Sequence, residues 1–154
     1  MRNLVITILA AAALSAVTGC AATASDSGAR SYEPNTMNAV VGVSMNRPET
    51  GVLLGANYEY RRDDKLGFGG FADIAIGDDT STALGGAVFW HPKDRLTVFG
   101  GPGVNFTSGD ADIIARVGGY YTFEWKKYTI APTAWVDLGD DVAVFIGAGL
   151  IFHF

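Results

Sequence analysis

From Met37 onward the chain divides into segments of roughly ten residues in which apolar side chains alternate with small or polar ones. Successive side chains of a β-strand point to opposite faces, so this alternation is typical of strands that have one apolar face. Short runs rich in Asp, Gly, Pro and Lys separate the segments and favour turns. The sequence therefore predicts eight strands, at about 38–46, 51–61, 66–76, 81–91, 95–106, 111–126, 128–138 and 141–154.

Sorting each strand by odd and even positions separates two different faces. In the strand predicted over 111–126, one face carries large apolar residues, and the other carries ions and glycines: Asp112, Arg116, Gly118 and Glu124. The last predicted strand behaves in the same way, with one face formed by Val142, Val144, Ile146, Ala148, Leu150, Phe152 and Phe154. One face of the predicted sheet is thus nearly free of charge.

Such alternation fits either a soluble barrel with an apolar interior or a membrane barrel with an apolar exterior. The apolar face holds more large side chains than an eight-stranded lumen could enclose. In addition, aromatic residues collect at one end of the strands, as in a girdle at a membrane interface: Tyr58, Tyr60, Trp90, Tyr121, Phe123, Trp125, Tyr128, Phe152 and Phe154. The predicted fold is all-β, an eight-stranded antiparallel up-and-down transmembrane β-barrel. A soluble, lipocalin-like ligand-binding lipoprotein is the alternative.

The N-terminus has the features of an export signal. A short positively charged start, Met1-Arg2-Asn3, precedes an apolar stretch over 4–17 that is of secretory length. The following Val17-Thr18-Gly19-Cys20 resembles the lipobox of bacterial lipoproteins, and this resemblance implies that Cys20 is lipidated. Ordinary cleavage after Ala24 would instead remove Cys20, the single cysteine of the chain.

We therefore predict three regions. Residues 1–19 form a signal peptide of the lipoprotein type, 20–37 form a lipidated N-terminus and flexible tether, and 38–154 form an outer-membrane β-barrel.

The strand number, the charges on the inner face and the closing sequence GLIFHF resemble the small outer-membrane barrels typified by the OmpA membrane domain and OmpX. The resemblance implies location in the bacterial outer membrane, contact with outer-membrane lipids, and recognition by the barrel-assembly machinery through Leu150, Phe152 and Phe154. The chain departs from family members that act as adhesins because its predicted outward connections are very short.

The charged residues predicted to face the lumen have mixed signs: Glu59, Arg61, Asp73, Arg116, Glu124 and Asp137. Because buried charges are costly unless they are paired, these residues are expected to form an ion-pair network that stiffens the barrel. A gated proton or ion path is the alternative, although an eight-stranded lumen is just filled by side chains.

No pattern in the sequence indicates catalysis. The two histidines, His91 and His153, have no adjacent serine, and both are expected at a membrane interface. No cofactor or metal is expected, and a net charge of −5 without a concentrated basic face argues against nucleic acid. The sequence predicts a non-catalytic outer-membrane protein with a structural, envelope-integrity or surface-interaction role. A narrow, porin-like ion channel is the alternative.

Overall fold

A computed structural model of the chain describes residues 34–46, 50–77 and 79–154. The predicted signal peptide, Cys20 and most of the predicted tether therefore lie outside the described residues. The described residues contain strands β1 (Asn35–Asn46), β2 (Thr50–Arg61), β3 (Leu66–Ile76), β4 (Thr80–Lys93), β5 (Leu96–Thr107), β6 (Asp110–Tyr121), β7 (Phe123–Trp125), β8 (Tyr128–Leu138) and β9 (Val142–His153). No helix in this part of the chain is long and apolar enough to cross a membrane.

Every strand pairs antiparallel with its neighbours, and the sheet closes on itself. β1 pairs with both β2 and β9, and β6 pairs with both β5 and β8. β7 continues the line of β6 after an interruption at Thr122 and pairs with β8, so β6 and β7 together form one barrel strand. The result is a closed, eight-stranded up-and-down barrel, which confirms the predicted fold.

The boundaries of the strands differ from the prediction in two places. β1 already begins at Asn35, within the segment predicted to be a tether. The strand predicted over 111–126 is broken at Thr122, whose amide and hydroxyl both donate to the carbonyl of Arg95, at 2.8 and 2.9 Å. This contact ties Thr122 to the β4–β5 turn, and β5 does not continue beside β7.

The turns follow ordinary local chemistry. Ser108 and Gly109 both have positive φ in the two-residue connection between β5 and β6, as the mirror-image turns of tight hairpins require. Between β2 and β3, the Asp63 carboxylate accepts hydrogen bonds from the amides of Lys65 and Leu66, both at 2.9 Å. These two bonds hold the pKa of Asp63 below its usual value.

The two ends of the barrel differ in chemistry. The acidic end comprises the β1–β2, β3–β4, β5–β6 and β8–β9 connections and carries Asp79, Asp110, Asp140 and Asp141. The aromatic end comprises the β2–β3, β4–β5 and β7–β8 connections, together with the start of β1 and the end of β9. Trp90, Trp125, Tyr128 and Phe152 all lie close to this end of their strands.

Large apolar side chains cover the outside of the barrel. Ile113 is 81% exposed and Val52 is 53% exposed, and exposed aliphatic or aromatic residues occur on every barrel strand. Apart from β7, the strands have 11 to 14 residues, and at the usual tilt such strands cover an apolar band of roughly 25 Å. This arrangement is the reverse of a soluble barrel, since the large apolar residues face outward.

The lumen is filled by side chains that fit against glycines. Phe71 lies over Gly103, where an added Cβ would meet the ring at 2.7 Å, and over Gly85. In the same way Phe145 lies over Gly42, where a Cβ would come within 2.8 Å of the ring. Because the opposing wall has no side chain at these points, large aromatic rings can occupy a narrow barrel.

Candidate functional site in the barrel lumen

The lumen contains two polar clusters, and the first is built around Arg116 on β6. Arg116 is only 1% exposed, and its guanidinium donates to Asp137 through Nε and Nη2, both at 2.6 Å, and to Asp73 through Nη1 at 2.5 Å. Arg116 and Asp137 are direct cross-strand partners of β6 and β8, whereas Asp73 reaches across from β3. We call these three residues the Arg116 cluster.

Two aromatic rings flank the guanidinium. Its central carbon lies 4.0 Å from the centroid of the Phe71 ring and 4.5 Å from that of Trp135. The Trp135 ring in turn stacks on Phe145, with 3.7 Å between ring centroids. A cation held between ring faces gains electrostatic stabilisation that increases as water is excluded. The Arg116 cluster therefore joins the ion pairs to the aromatic packing of the lumen.

A cavity of about 330 Å³ opens between the Arg116 cluster and the acidic end. Carboxylates dominate its charged lining: Asp73, Asp79, Asp110, Asp112, Asp137, Asp140 and Asp141. Two of them, Asp73 and Asp137, bind Arg116 and so connect the cavity to the cluster. Within the described residues, no group of three or more His, Cys, Asp or Glu side chains has the arrangement of a metal site.

The second cluster lies toward the aromatic end and is centred on His91 of β4. His91 Nε2 is 2.6 Å from Glu59 Oε1, and Thr97 Oγ1 is 3.0 Å from His91 Nδ1. Because a carboxylate only accepts hydrogen bonds, the proton in the contact with an ionised Glu59 belongs to Nε2, while Nδ1 and the Thr97 hydroxyl share the second hydrogen bond. Arg61 completes the group, with Nη2 at 3.3 Å from both ring nitrogens and Nε at 3.6 Å from Glu59 Oε1. These four residues form the His91 cluster.

Several buried polar atoms near the His91 cluster have no hydrogen-bond partner among the described residues. They are both amide atoms of Asn38, Nδ2 of Asn57 and Oε2 of Glu59. Asn38 and Asn57 face each other across β1 and β2 and are 1% and 3% exposed. The two clusters therefore differ in how completely their polar atoms are paired.

The six charged residues predicted to line the lumen do not form one network. Asp73, Arg116 and Asp137 make the Arg116 cluster, whereas Glu59 and Arg61 belong to the His91 cluster. Glu124 is exposed on β7 and belongs to neither cluster. Its position follows from the break at Thr122, since the pairing of β6 with β5 ends at Tyr121 and β7 continues past it.

The prediction that His91 lies at the membrane interface is wrong. His91 is 7% exposed and faces the lumen, because alternate residues of β4 point inward and His91 follows Ala87 and Phe89 in this series. The alternation along β4 could have shown that the His91 side chain points inward. It could not have identified the partners Glu59 and Thr97, which come from other strands. His153 is exposed at the end of β9, where Nδ1 lies 3.3 Å from Thr36 Oγ1.

Thr97, His91 and Glu59 form a hydroxyl–imidazole–carboxylate series, an order that also occurs in nucleophilic catalysis. A nucleophile must contact its substrate, but Thr97 is 3% exposed and points into a filled lumen. The Tyr120 side chain, which is 5% exposed, occupies the same region. The geometry accordingly fits a buried hydrogen-bond network.

Comparisons with known proteins bear on the fold. No family model and no curated protein sequence matches the chain. Among solved structures, a de novo designed transmembrane β-barrel superimposes with a TM-score of 0.60 and 18% identity over 77% of this chain and 96% of the design. The N-terminal β-barrel domain of Pseudomonas aeruginosa OprF gives 0.59 and 12% identity over 78% of this chain and 98% of that domain.

The outer-membrane protein Ail of Yersinia pestis, determined in a phospholipid bilayer nanodisc, gives a TM-score of 0.55 and 12% identity. The alignment covers 78% of this chain and all of Ail, 100%. Together with the apolar exterior, these similarities define the class of the protein, a transmembrane β-barrel with the fold of small outer-membrane barrels.

Proposed function

We propose that this protein is a non-catalytic outer-membrane barrel with a structural role in the bacterial envelope. The observation that carries the proposal is the combination of an apolar exterior and a lumen closed by paired side chains. Phe89, Phe99 and Phe145 are each at most 2% exposed, and Arg116 is held on two sides by carboxylates and on two by rings.

The orientation that we propose places the aromatic end toward the periplasm and the acidic end toward the exterior. The start of β1 lies at the aromatic end, on the side from which an exported N-terminus, lipidated at Cys20, would approach. The turns at the acidic end are short, as between Thr107 and Asp110, so contacts with other cells through long surface loops are not part of the proposal.

The test is to express the full chain in a Gram-negative host and to fractionate the envelope. We expect the protein in the outer membrane, with slower gel migration after boiling because a folded barrel resists detergent. Cells that lack it should become more sensitive to detergents and large antibiotics. Recovery of the mature chain in a soluble fraction without detergent would contradict the proposal and support a lipocalin-like protein.

A narrow cation channel is the second candidate, and the aspartate-lined cavity favours it. The Arg116 cluster stands between this cavity and the rest of the lumen. We expect no single-channel steps from the native protein in planar bilayers, and cation-selective steps only after Arg116→Ala. Single-channel current steps in the native protein that change after Asp137→Asn would show that the protein conducts ions and would contradict a purely structural role.

The export and assembly signals are tested separately. Cys20→Ser is expected to abolish labelling by a radioactive fatty acid. A native mature protein whose mass shows no added lipid would instead indicate cleavage after Ala24. Removal of the Phe154 side chain by Phe154→Ala is expected to lower the amount of assembled barrel through weaker recognition by the assembly machinery.

A further inference from the structure

The β7–β8 hairpin extends past the rim of the barrel at the aromatic end. β5 pairs with β6 only as far as Leu96 and Tyr121, whereas β7 continues with Phe123, Glu124 and Trp125 paired to β8 alone. Thr122 fixes the base of this extension through its two hydrogen bonds to the carbonyl of Arg95. β7 is therefore an open edge where β5 has ended, whereas β8 stays paired with β9 as far as Thr129. The part of the hairpin that extends beyond both neighbouring strands is the Trp125–Tyr128 pair with its turn.

The outward face of the hairpin continues the apolar exterior of the barrel. Trp125 and Tyr128 are cross-strand partners and are 64% and 54% exposed, and Phe123 is 49% exposed opposite Ile130. Tyr121 extends the same face, with its ring centroid 4.8 Å from that of Phe123. The other face carries Thr122, Glu124 and Thr129. Amphipathic aromatic rings on one side suit the boundary between acyl chains and headgroups.

The charge at the tip of the hairpin distinguishes it from the other two turns at the aromatic end. In the β2–β3 turn, Arg62 and Lys65 flank Asp63 and Asp64, and in the β4–β5 turn Asp94 precedes Arg95. The β7–β8 turn consists of Lys126 and Lys127 alone. Both lysines are exposed, and no ion pair found among the described residues includes either of them.

The two lysines lie beside the aromatic rings. Lys126 adopts a positive φ of 56°, which turns the chain back directly after Trp125, and Lys127 Nζ lies 5.2 Å from the centroid of the Tyr128 ring. The tip therefore presents two adjacent ammonium groups next to rings that favour the headgroup region. A basic group near an anionic membrane surface gains free energy that a zwitterionic surface does not supply.

We propose that the β7–β8 hairpin is a lipid-binding element that inserts Phe123, Trp125 and Tyr128 into the membrane interface and binds anionic phospholipid headgroups through Lys126 and Lys127. This inference rests on the proposed membrane location and adds the class of lipid and the residues that recognise it. The anionic headgroups lie around the aromatic end and not around the acidic end, where the exposed turns carry aspartates.

The experiment uses the mature protein folded in dihexanoyl-phosphatidylcholine micelles, with dihexanoyl-phosphatidylglycerol as the anionic probe. Backbone amide chemical shifts are followed while the probe replaces the zwitterionic lipid. We expect the chemical-shift changes of the Trp125 and Tyr128 amides to reach half of their maximum at a lower probe fraction than those of the amides in the β2–β3 and β4–β5 turns. Higher ionic strength should reduce this difference, because salt screens exposed charges.

The variant Lys126→Gln/Lys127→Gln should raise the half-saturating probe fraction at the hairpin by about fivefold for each lysine removed. The matched control Lys93→Gln/Arg95→Gln removes the same charge from the β4–β5 turn of the same end and should leave the hairpin response unchanged. Lys126→Arg/Lys127→Arg keeps the charge and should retain binding, which separates electrostatics from any effect of the substitutions on folding.

Equal weakening by the hairpin variant and the β4–β5 control would show that only total charge matters and would overturn the inference. An identical response at all three turns of the native protein would also overturn it. Either result in a heat-modifiable, folded protein leaves the membrane proposal intact. Failure of the native chain to fold in lipid would instead contradict the proposed function itself.

Discussion

The two polar clusters of the lumen are built in opposite ways. The Arg116 cluster has one donor group that makes three hydrogen bonds to two carboxylates, and the rings of Phe71 and Trp135 lie 4.0 and 4.5 Å from its central carbon. The His91 cluster combines a histidine, a hydroxyl, a carboxylate and an arginine whose side chain is 30% exposed. Asn57, two residues before Glu59 on β2, and its cross-strand partner Asn38 carry amide atoms that have no partner among the described residues.

Buried charges in this barrel are therefore stabilised in two different ways. In the Arg116 cluster every buried ion has a partner, so removal of one member leaves an uncompensated charge in a nonpolar environment. In the His91 cluster the partners are partly neutral and partly exposed to solvent, so the loss of one contact is less costly. Substitutions in the Arg116 cluster should therefore lower the free energy of unfolding more than substitutions in the His91 cluster.

Arg116→Met should have the largest effect, because Asp73 and Asp137 then remain buried and mutually repulsive. We expect the free energy of unfolding to fall by about 3–5 kcal/mol, as measured by urea titration in lipid vesicles with gel migration as the readout. The triple variant Arg116→Met/Asp73→Asn/Asp137→Asn, which removes all three charges, should recover much of this loss. If Arg116→Met alone were as stable as the native protein, the Arg116 cluster would not contribute to the stability of the barrel.

Glu59→Gln should have an intermediate effect on the same measurement. The amide keeps the size of the side chain but removes the charge that Arg61 and His91 contact, so we expect a loss of about 1–3 kcal/mol. A loss as large as that of Arg116→Met would erase the contrast between the two clusters. Glu124→Gln, on the exposed β7, is the control and should change little.

Phe71→Leu should cost about 1–2 kcal/mol, because the change removes one ring from the guanidinium and leaves space over Gly85 and Gly103. A double-mutant cycle with Arg116→Met isolates the contact between ring and cation. We expect a coupling free energy of about 0.5–2 kcal/mol. A coupling free energy of zero would show that Phe71 only fills space and does not stabilise the cation.

Asn38→Leu should have the smallest effect. Both amide atoms of Asn38 lack a partner among the described residues, so an apolar side chain of similar shape is expected to leave the stability unchanged or to raise it slightly. Asp73→Leu is the matched change in the Arg116 cluster and should be strongly destabilising. A loss above about 1 kcal/mol for Asn38→Leu would indicate that ordered water satisfies this amide.

The fold could be predicted from the sequence because its determinants are local. Alternation along each strand and turn residues between strands set the number of strands, and the parity that placed Ile113 outside also placed Arg116 inside. The end of the β5–β6 pairing at Tyr121 was missed because it is set by where β5 begins, at Leu96, which is distant in sequence.

The polar clusters were predictable only in part. Parity identifies which charges face inward, but it does not give the distance between residues on strands that are not neighbours, such as Asp73 on β3 and Arg116 on β6. The stagger of the barrel decides which inward residues share a level, and this property belongs to the whole closed sheet. For the same reason the sequence did not bring Thr97 and Glu59 to His91.

The glycines beneath the lumen rings have a consequence for how the sequence can change over evolutionary time. A methyl group added at Gly103 would overlap the Phe71 ring, and one added at Gly42 would overlap Phe145. Neither member of such a pair can vary alone without a clash or a void. A Cβ at Gly42 would also overlap the carbonyl oxygen of Ile146, and one at Gly103 would meet that of Leu84 at 2.8 Å. In a set of homologous sequences, glycine should therefore persist at positions 42 and 103 even where the ring changes, while lipid-facing positions exchange one aliphatic residue for another.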